Sequence, residues 1–517
     1  MALITTMMAV PLTLISAGSA GAQVFSGSLV DAVQLTLRQE ASVSASRQQI
    51  ATSQGQLLSA RAPFDRLWSA GLSEQRSVLP LPAGETAQTS NQTTYQAGLS
   101  QRLESGITLN PTVSITRIHD NYTNSTDPST ANVALNVVIP LRKGAGTEVT
   151  TAPLKAAAMF LQASRSSFRE TQAQAIVKTV STYWDLVAAR QGLELALQAE
   201  SRADELFAKA RKLARADEIP RSDLLKYEVR KVAQESDRLR ATLRVNQALQ
   251  ALSQAMNSPI ETLEAPSRGL DAFPKAEDAR LALLDDPLLV ARLLAGSVER
   301  RTDIKVAEQQ LRAANTLAEA ARRNSGTQLD LGFSVGYNGM TEGSSGASIL
   351  RAFAQPAPGA NVGVTLTYTL PGGDFERQGL ILQRDAAARQ AQTDLDALRL
   401  RASGEVRTQL DALRSTIAQL GKSSDQRRLQ TTIYENEKRS YQAGLSTLLD
   451  LFSTESQLTV YQIEWVQAQR NFAQALVLFR FKSANLLSLE AGDADDQDVN
   501  LLQADSLTTL PQYIYEK

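Results

Sequence analysis

The chain contains no cysteine. That excludes disulfides, thiolate metal sites, a cysteine nucleophile and a lipid-bearing N-terminal cysteine. Histidine is almost as scarce, His119 being the only one in 517 residues. It stands in a polar Asp/Asn/Tyr/Thr stretch, and metal or triad chemistry needs convergent partners, so it reads as a plain surface residue. Aromatics make up only 5% of the chain. Charge of one sign is missing too: Lys+Arg 53 against Asp+Glu 54 leaves a net charge of -1, so nothing global points to nucleic acid or a polyanionic partner. No apolar run approaches the roughly 18 uncharged residues that a spanning helix needs. There is no Ser/His/Asp set, phosphate loop or metal-ligand cluster. No catalytic residue, metal or cofactor is expected.

What is present is Gln, Ala, Leu and Arg in quantity, the usual composition of coiled-coil-like helices. Residues 1–22 read as a signal peptide, an apolar segment ending in Ala20-Gly21-Ala22 before Gln23. From Ser28 to about Ala62, Leu29, Ala32, Val33 and Leu37 recur at helical spacing, and Pro63 ends the run. The period then changes to two. Trp68, Ala70 and Leu72 share one face, followed after a loop by Tyr95, Ala97, Leu99, Gln101 and Leu103. The turn Glu104-Ser105-Gly106 leads to Ile107, Leu109, Val113 and Ile115, and a polar loop leads to Val133, Leu135, Val137 and Ile139. Two readings fit such strands. One is a soluble sheet with one face on a core; the other is a barrel with lipid outside and water inside.

After Pro140 the pattern from Ala152 to about Ala216 is helical throughout, roughly 95 Å at 1.5 Å per residue, too long for a compact domain. The stretch Asp217–Ser222, with Pro220, interrupts it, and a helix runs on to Met256. Residues 259–284 read as a connector. The grammar then repeats. A helix over 287–323 is followed by strands carrying Leu329, Leu331, Phe333, Val335 and Tyr337, then Val362, Val364, Leu366 and Tyr368. Pro371-Gly372-Gly373 opens a helix to about Ala443, Gly444 breaks it, and a last helix runs to about Leu489. The two halves, 23–258 and 285–490, thus read as an internal duplication, with Asp223 and Glu228 each 227 positions before Asp450 and Glu455. An acidic and polar tail, 491–517, follows.

The doubled layout, the motif Tyr441-x-x-Gly444-Leu445-Ser446-Thr447-Leu448-Leu449-Asp450-Leu451-x-x-x-Glu455, the segment Tyr183-Trp184-Asp185-Leu186-Val187, and the strand exits at Pro140 and Pro371 resemble the TolC family of outer-membrane efflux proteins. The resemblance covers almost the whole mature chain. It implies a mainly helical, trimeric channel-tunnel: three chains close one β-barrel in the outer membrane of a Gram-negative cell, continued by a periplasmic tube of about twelve helices. It also implies passive export, of small molecules or polypeptides. The drive would come from an inner-membrane pump of the RND or ABC type, coupled through a periplasmic adaptor. Four strands in the first repeat, where the family usually has two, depart from the pattern. The added hairpin, 94–118, either widens the barrel or forms a flap.

On this resemblance, Ala443, Gly444, Leu445, Ser446 and Thr447 form an adaptor-docking tip, with Asp217, Pro220 and Ser222 as the less typical counterpart. A plain helix stop at Gly444 and an N-cap at Ser446 or Thr447 are the competing readings. Asp223 and Asp450 are candidates for an acidic ring at the tunnel mouth, against the simpler role of stabilising helix N-termini. Pro140, Pro371, Gly372 and Gly373 mark strand–helix exits. Trp68, Leu135, Val137, Leu331, Phe333, Val364 and Leu366 are the residues expected to face lipid. The competing function is a soluble periplasmic coiled-coil interaction protein.

Overall fold

A computed structural model of the chain describes residues 25, 27–80, 82, 87–121, 128–260, 269–276, 287–324, 326–342, 359–370 and 373–486. Helices α1 (Leu29–Gln39) and α2 (Ala41–Arg61) open it, followed by strands β1 (Arg66–Leu79), β2 (Gln88–Arg102), β3 (Thr108–Asp120) and β4 (Pro128–Pro140). A single turn, α3 (Thr147–Thr150), precedes two long helices, α4 (Ala152–Arg215) and α5 (Arg221–Met256). The second half comprises α6 (Pro287–Arg300), α7 (Thr302–Arg323), β5 (Gln328–Glu342), β6 (Ala360–Thr369), α8 (Phe375–Gln442) and α9 (Leu448–Lys482).

The helices stack into a wall that is four across at each level. Near the sheet the order is α2, α4, α7, α8; toward the far end α5 replaces α2 and α9 replaces α7, giving α5, α4, α9, α8. Only α4 and α8 run the full height, about 100 Å at 1.5 Å per residue. The short helices meet them at a midline core. There Tyr183 and Trp184 are buried with Val33, Ile176, Val180, Leu252 and Met256. Trp184 lies 5.3 Å from the ring of Phe273, which brings the described part of the connector, 269–276, onto this core. The Tyr183 hydroxyl donates to the Gly27 carbonyl and accepts from the Asp271 N–H, both at 2.8 Å, so one phenol ties the N-terminal arm to the connector.

Two helices expected as single runs are broken. Glu40 is extended (φ -65°, ψ 131°), and its carboxylate accepts from the Val43 N–H, capping a fresh start at α2. Arg301 is likewise extended between α6 and α7. Its guanidinium is drawn across to Asp303 at 2.6 Å and Glu405 on α8 at 3.0 Å, a tertiary pull that local periodicity does not encode.

All six strands form one antiparallel sheet in the order β1-β2-β3-β4-β5-β6. The hairpin β2–β3 therefore lies inside the sheet, between β1 and β4, and is not a flap. Its turn is held tightly: Gly106 has φ 95°, and a Cβ there would collide with the Gly144 carbonyl of the loop leaving β4. β1 and β6 are the two edges, and neither has a further strand partner among the described residues.

Candidate functional site

Two turns close the far end of the helical wall, and they are built alike. At the second, the Leu445 N–H donates to the Ser440 carbonyl at 2.9 Å and the Gly444 N–H to Tyr441 at 3.0 Å, with Gly444 left-handed at φ 74°. This double bond to the last helical carbonyls is the Schellman arrangement. At the first, Glu218 N–H reaches the Leu213 carbonyl at 3.0 Å and Asp217 takes φ 58°. Asp217 and Gly444 are 227 positions apart, the same offset as Asp223 and Asp450. The aspartate thus does the glycine's backbone work, as the short polar side chains of Asp and Asn can.

The restarts differ. Thr447 caps α9 in a reciprocal box: its hydroxyl accepts from the Asp450 N–H, and the Asp450 carboxylate accepts from the Thr447 N–H, both at 3.2 Å. The Asp450 carboxylate is thereby committed to the cap. Pro220 begins α5 with no side-chain cap, Ser222 is exposed, and Asp223 pairs with Lys226 at 2.8 Å. Ala443, Gly444 and Thr447 are exposed, Ser446 is half-buried, and Leu445 is the apex, 82% exposed. A Cβ built on Gly444 meets nothing within 4 Å.

The two turns sit side by side over a small core of Leu206, Tyr227, Leu448, Leu451 and Phe452. Burial pushes the Tyr227 phenol above its ordinary range, and the nearby carboxylates of Asp223 and Asp450 add to the rise. One side chain thus senses both tips. About a turn further in, Glu455 is 1% exposed and accepts from Arg202 Nε at 2.6 Å, while Arg202 Nη2 donates to Thr459 at 3.2 Å. This ion pair clamps α4 to α9. Glu455 was marked by its offset from Glu228, but Glu228 itself is exposed, and Arg202 carried no local signal.

Both outer helices of the lower wall show unmatched apolar side chains. On α5, Leu225, Val229, Val232, Leu239 and Leu243 are exposed at successive spacings of four, three, seven and four, which keeps them on one heptad stripe. On α8, Leu429 and Ile433 are exposed.

The sheet register sorts its side chains by face, since directly opposed residues share a side and successive ones alternate. One unbroken row is Ala70, Ala97, Val113, Val133, Tyr337 and Ala360. Parallel rows on that face place Trp68 opposite Leu99, and Leu135 with Val335 and Val362. They place Val137 with Phe333 and Val364, and Ile139 with Leu331 and Leu366. Every residue expected to face lipid is on this one face. Along β4 the apolar stretch runs from Ala131 to Ile139, about the nine to eleven residues a tilted strand needs to cross a bilayer. The next row out, Glu74, Thr93, Arg117, Ser129 and Thr341, is polar and ends the band. Trp68 is 75% exposed and no described helix covers the face. The opposite face carries Ser69, Gly98, Thr112, Ala134, Gly336 and Asn361 in the matching row. Among the described residues no helix is long and apolar enough to cross a membrane. Pro140 ends β4 and Gly373 lies just before α8; Pro371 and Gly372, the leader 1–22 and the tail 491–517 lie outside the described residues.

Residues 293–480 match the model of the outer membrane efflux protein family. That match covers only part of the second half, whereas the chain as a whole has the fold of solved outer-membrane channels. It is similar to the CmeC outer membrane channel of Campylobacter jejuni, at 15% identity and TM-score 0.64, over 94% of this chain and 90% of that one. It is also similar to the outer membrane protein VceC of Vibrio cholerae, at 13% and 0.62 over 88% and 96%. The open state of the MtrE outer membrane channel of Neisseria gonorrhoeae matches at 15% and 0.60 over 88% of each chain. No curated protein sequence matches the chain.

Proposed function

We propose that the chain is one third of an outer-membrane exit duct, which passes cargo by diffusion and is driven by an inner-membrane transporter through a periplasmic adaptor. The observation that carries this is the sheet. Among the described residues its apolar face is uncovered, of bilayer height and bounded by a polar row, while both of its edges are unpaired. Strands in lipid tolerate no free edge, so the sheet is complete only when β1 of one copy pairs with β6 of the next. The helical wall carries the same message independently: its outer members α5 and α8 each display exposed apolar side chains that no described residue covers. A threefold ring answers both, places the tips at the periplasmic mouth, and needs no enzyme chemistry.

The tip carries the adaptor contact. Leu445 and Gly444 present an apolar, unobstructed apex, and the Glu218 apex beside it is acidic. The soluble coiled-coil reading fares worse, because it leaves a large apolar sheet face in water, where such patches mark an interaction surface. Membrane fractionation and bilayer recording separate the two. The duct reading expects heat-resistant trimers extracted only by detergent, with stable conductance steps in planar bilayers. Recovery of a monomer in the aqueous fraction would refute it.

A further inference from the structure

The hairpin β2–β3 is fully integrated into the sheet: β2 pairs with β1 over Arg66–Leu79 and β3 pairs with β4 over Thr108–Arg117. β2 contributes Tyr95, Ala97 and Leu99 to the apolar face and β3 contributes Leu109, Val113 and Ile115, and both turn polar at Thr93 and Arg117, in the row where their neighbours do. The row of Val364, Phe333 and Val137 continues through Leu109 of β3 and reaches Gln101 of β2 and Arg66 of β1 at the helix end of the sheet. We propose that three copies close an eighteen-stranded barrel, β2 and β3 included, whose bore equals that of the helical tube, so that the membrane opening passes whatever the tube passes. This rests on the duct reading above.

Barrel width follows from strand number. At a strand spacing of about 4.8 Å and a tilt of about 40°, twelve strands enclose a backbone diameter of about 24 Å and eighteen about 36 Å. The wall is four helices across at each level, so three copies ring twelve helices. At interaxial distances of about 9 Å such a ring has a diameter of about 35 Å. The eighteen-stranded diameter is close to that of the ring of helix axes. Its lining is also uncharged between its ends. The polar face holds Ser, Thr, Asn, Gln, Gly and a few apolar residues, and its charges are confined to Arg102 and Asp330 at the helix end and Asp120 and Glu342 at the other. The barrel therefore selects neither by width nor by sign, and any size or charge filter lies in the helical part.

The absence of cysteine makes the test direct. The full-length protein with Asn136→Cys, on the polar face at mid-strand, carries a single thiol. It is reconstituted in vesicles and labelled with maleimide polymers from narrow to wider than a twelve-stranded bore. A second variant removes residues 88–121, after which β1 pairs with β4. Ala70 shares a row with Val133, so the apolar side is kept. The wide polymer is expected to label Asn136→Cys and to lose that reaction in the shortened chain, while the narrow one labels both. A strand count by electron cryomicroscopy of the unshortened trimer is expected to give eighteen. A twelve-stranded barrel with β2–β3 outside the wall would overturn the inference and leave the duct standing. A monomer that never enters lipid would overturn the duct reading, and this one with it.

Discussion

Gly444 has open space above it, so its sensitivity to substitution separates a structural role from a docking role. Gly444→Asn keeps a residue that tolerates the left-handed turn and costs at most about 1 kcal/mol. If the tip only stops a helix, export survives this change. The docking role instead predicts that export is lost while the heat-resistant trimer persists on gels, because the new side chain projects where the adaptor seats. Arg202 makes the opposite case. Arg202→Ala strands the buried Glu455 carboxylate and is expected to destabilise the α4–α9 contact by about 3–5 kcal/mol, read as a lowered thermal dissociation temperature. The glycine was visible in the sequence because a helix stop has a local signature. The arginine was not, because its partner lies 253 positions away. Asp217 shows the limit of residue type as a guide: it looks atypical beside Gly444 and adopts the same turn.

Among elements, the strands were the most legible. Alternation along a chain survives whatever closes the barrel, so the faces could be read from 66–140 and 328–369 without knowing the pairing. The pairing itself came only from the structure, and it decided the place of the added hairpin. Face assignment predicts that Leu135→Arg costs about 2–4 kcal/mol of stability in bilayers while the adjacent Asn136→Arg is tolerated, as measured by denaturant titration in vesicles. The helices were legible in extent but not in their breaks. The break at Arg301 is held by Glu405, which also bonds Lys482 at 3.0 Å. Burial alone would push the Glu405 carboxyl up, but Lys482 and Arg301 outweigh it and hold it below the usual carboxylate range. Its contribution is therefore complete above the ordinary glutamate pKa and fades as pH falls through the lowered value. Acidification into that window is expected to loosen the α7–α8–α9 junction first. Hydrogen exchange should rise there before it rises at the midline core, and Glu405→Gln should abolish that pH dependence.

Across the whole molecule, the doubled order of helices and strands was readable because its pattern extends over many residues. The four-across wall was not, since which helix neighbours which is a tertiary fact. The unpaired edges of β1 and β6 bear finally on how the molecule is made. A single copy entering the bilayer would leave two rows of peptide groups dry and unbonded, so insertion and association form one committed step. Its rate should therefore climb steeply with protomer concentration, roughly as a higher power than the first, until a holding factor or the lipid surface gathers the copies. Refolding into vesicles at a series of dilutions measures that order directly, and first-order kinetics would show that one chain crosses the membrane unaided.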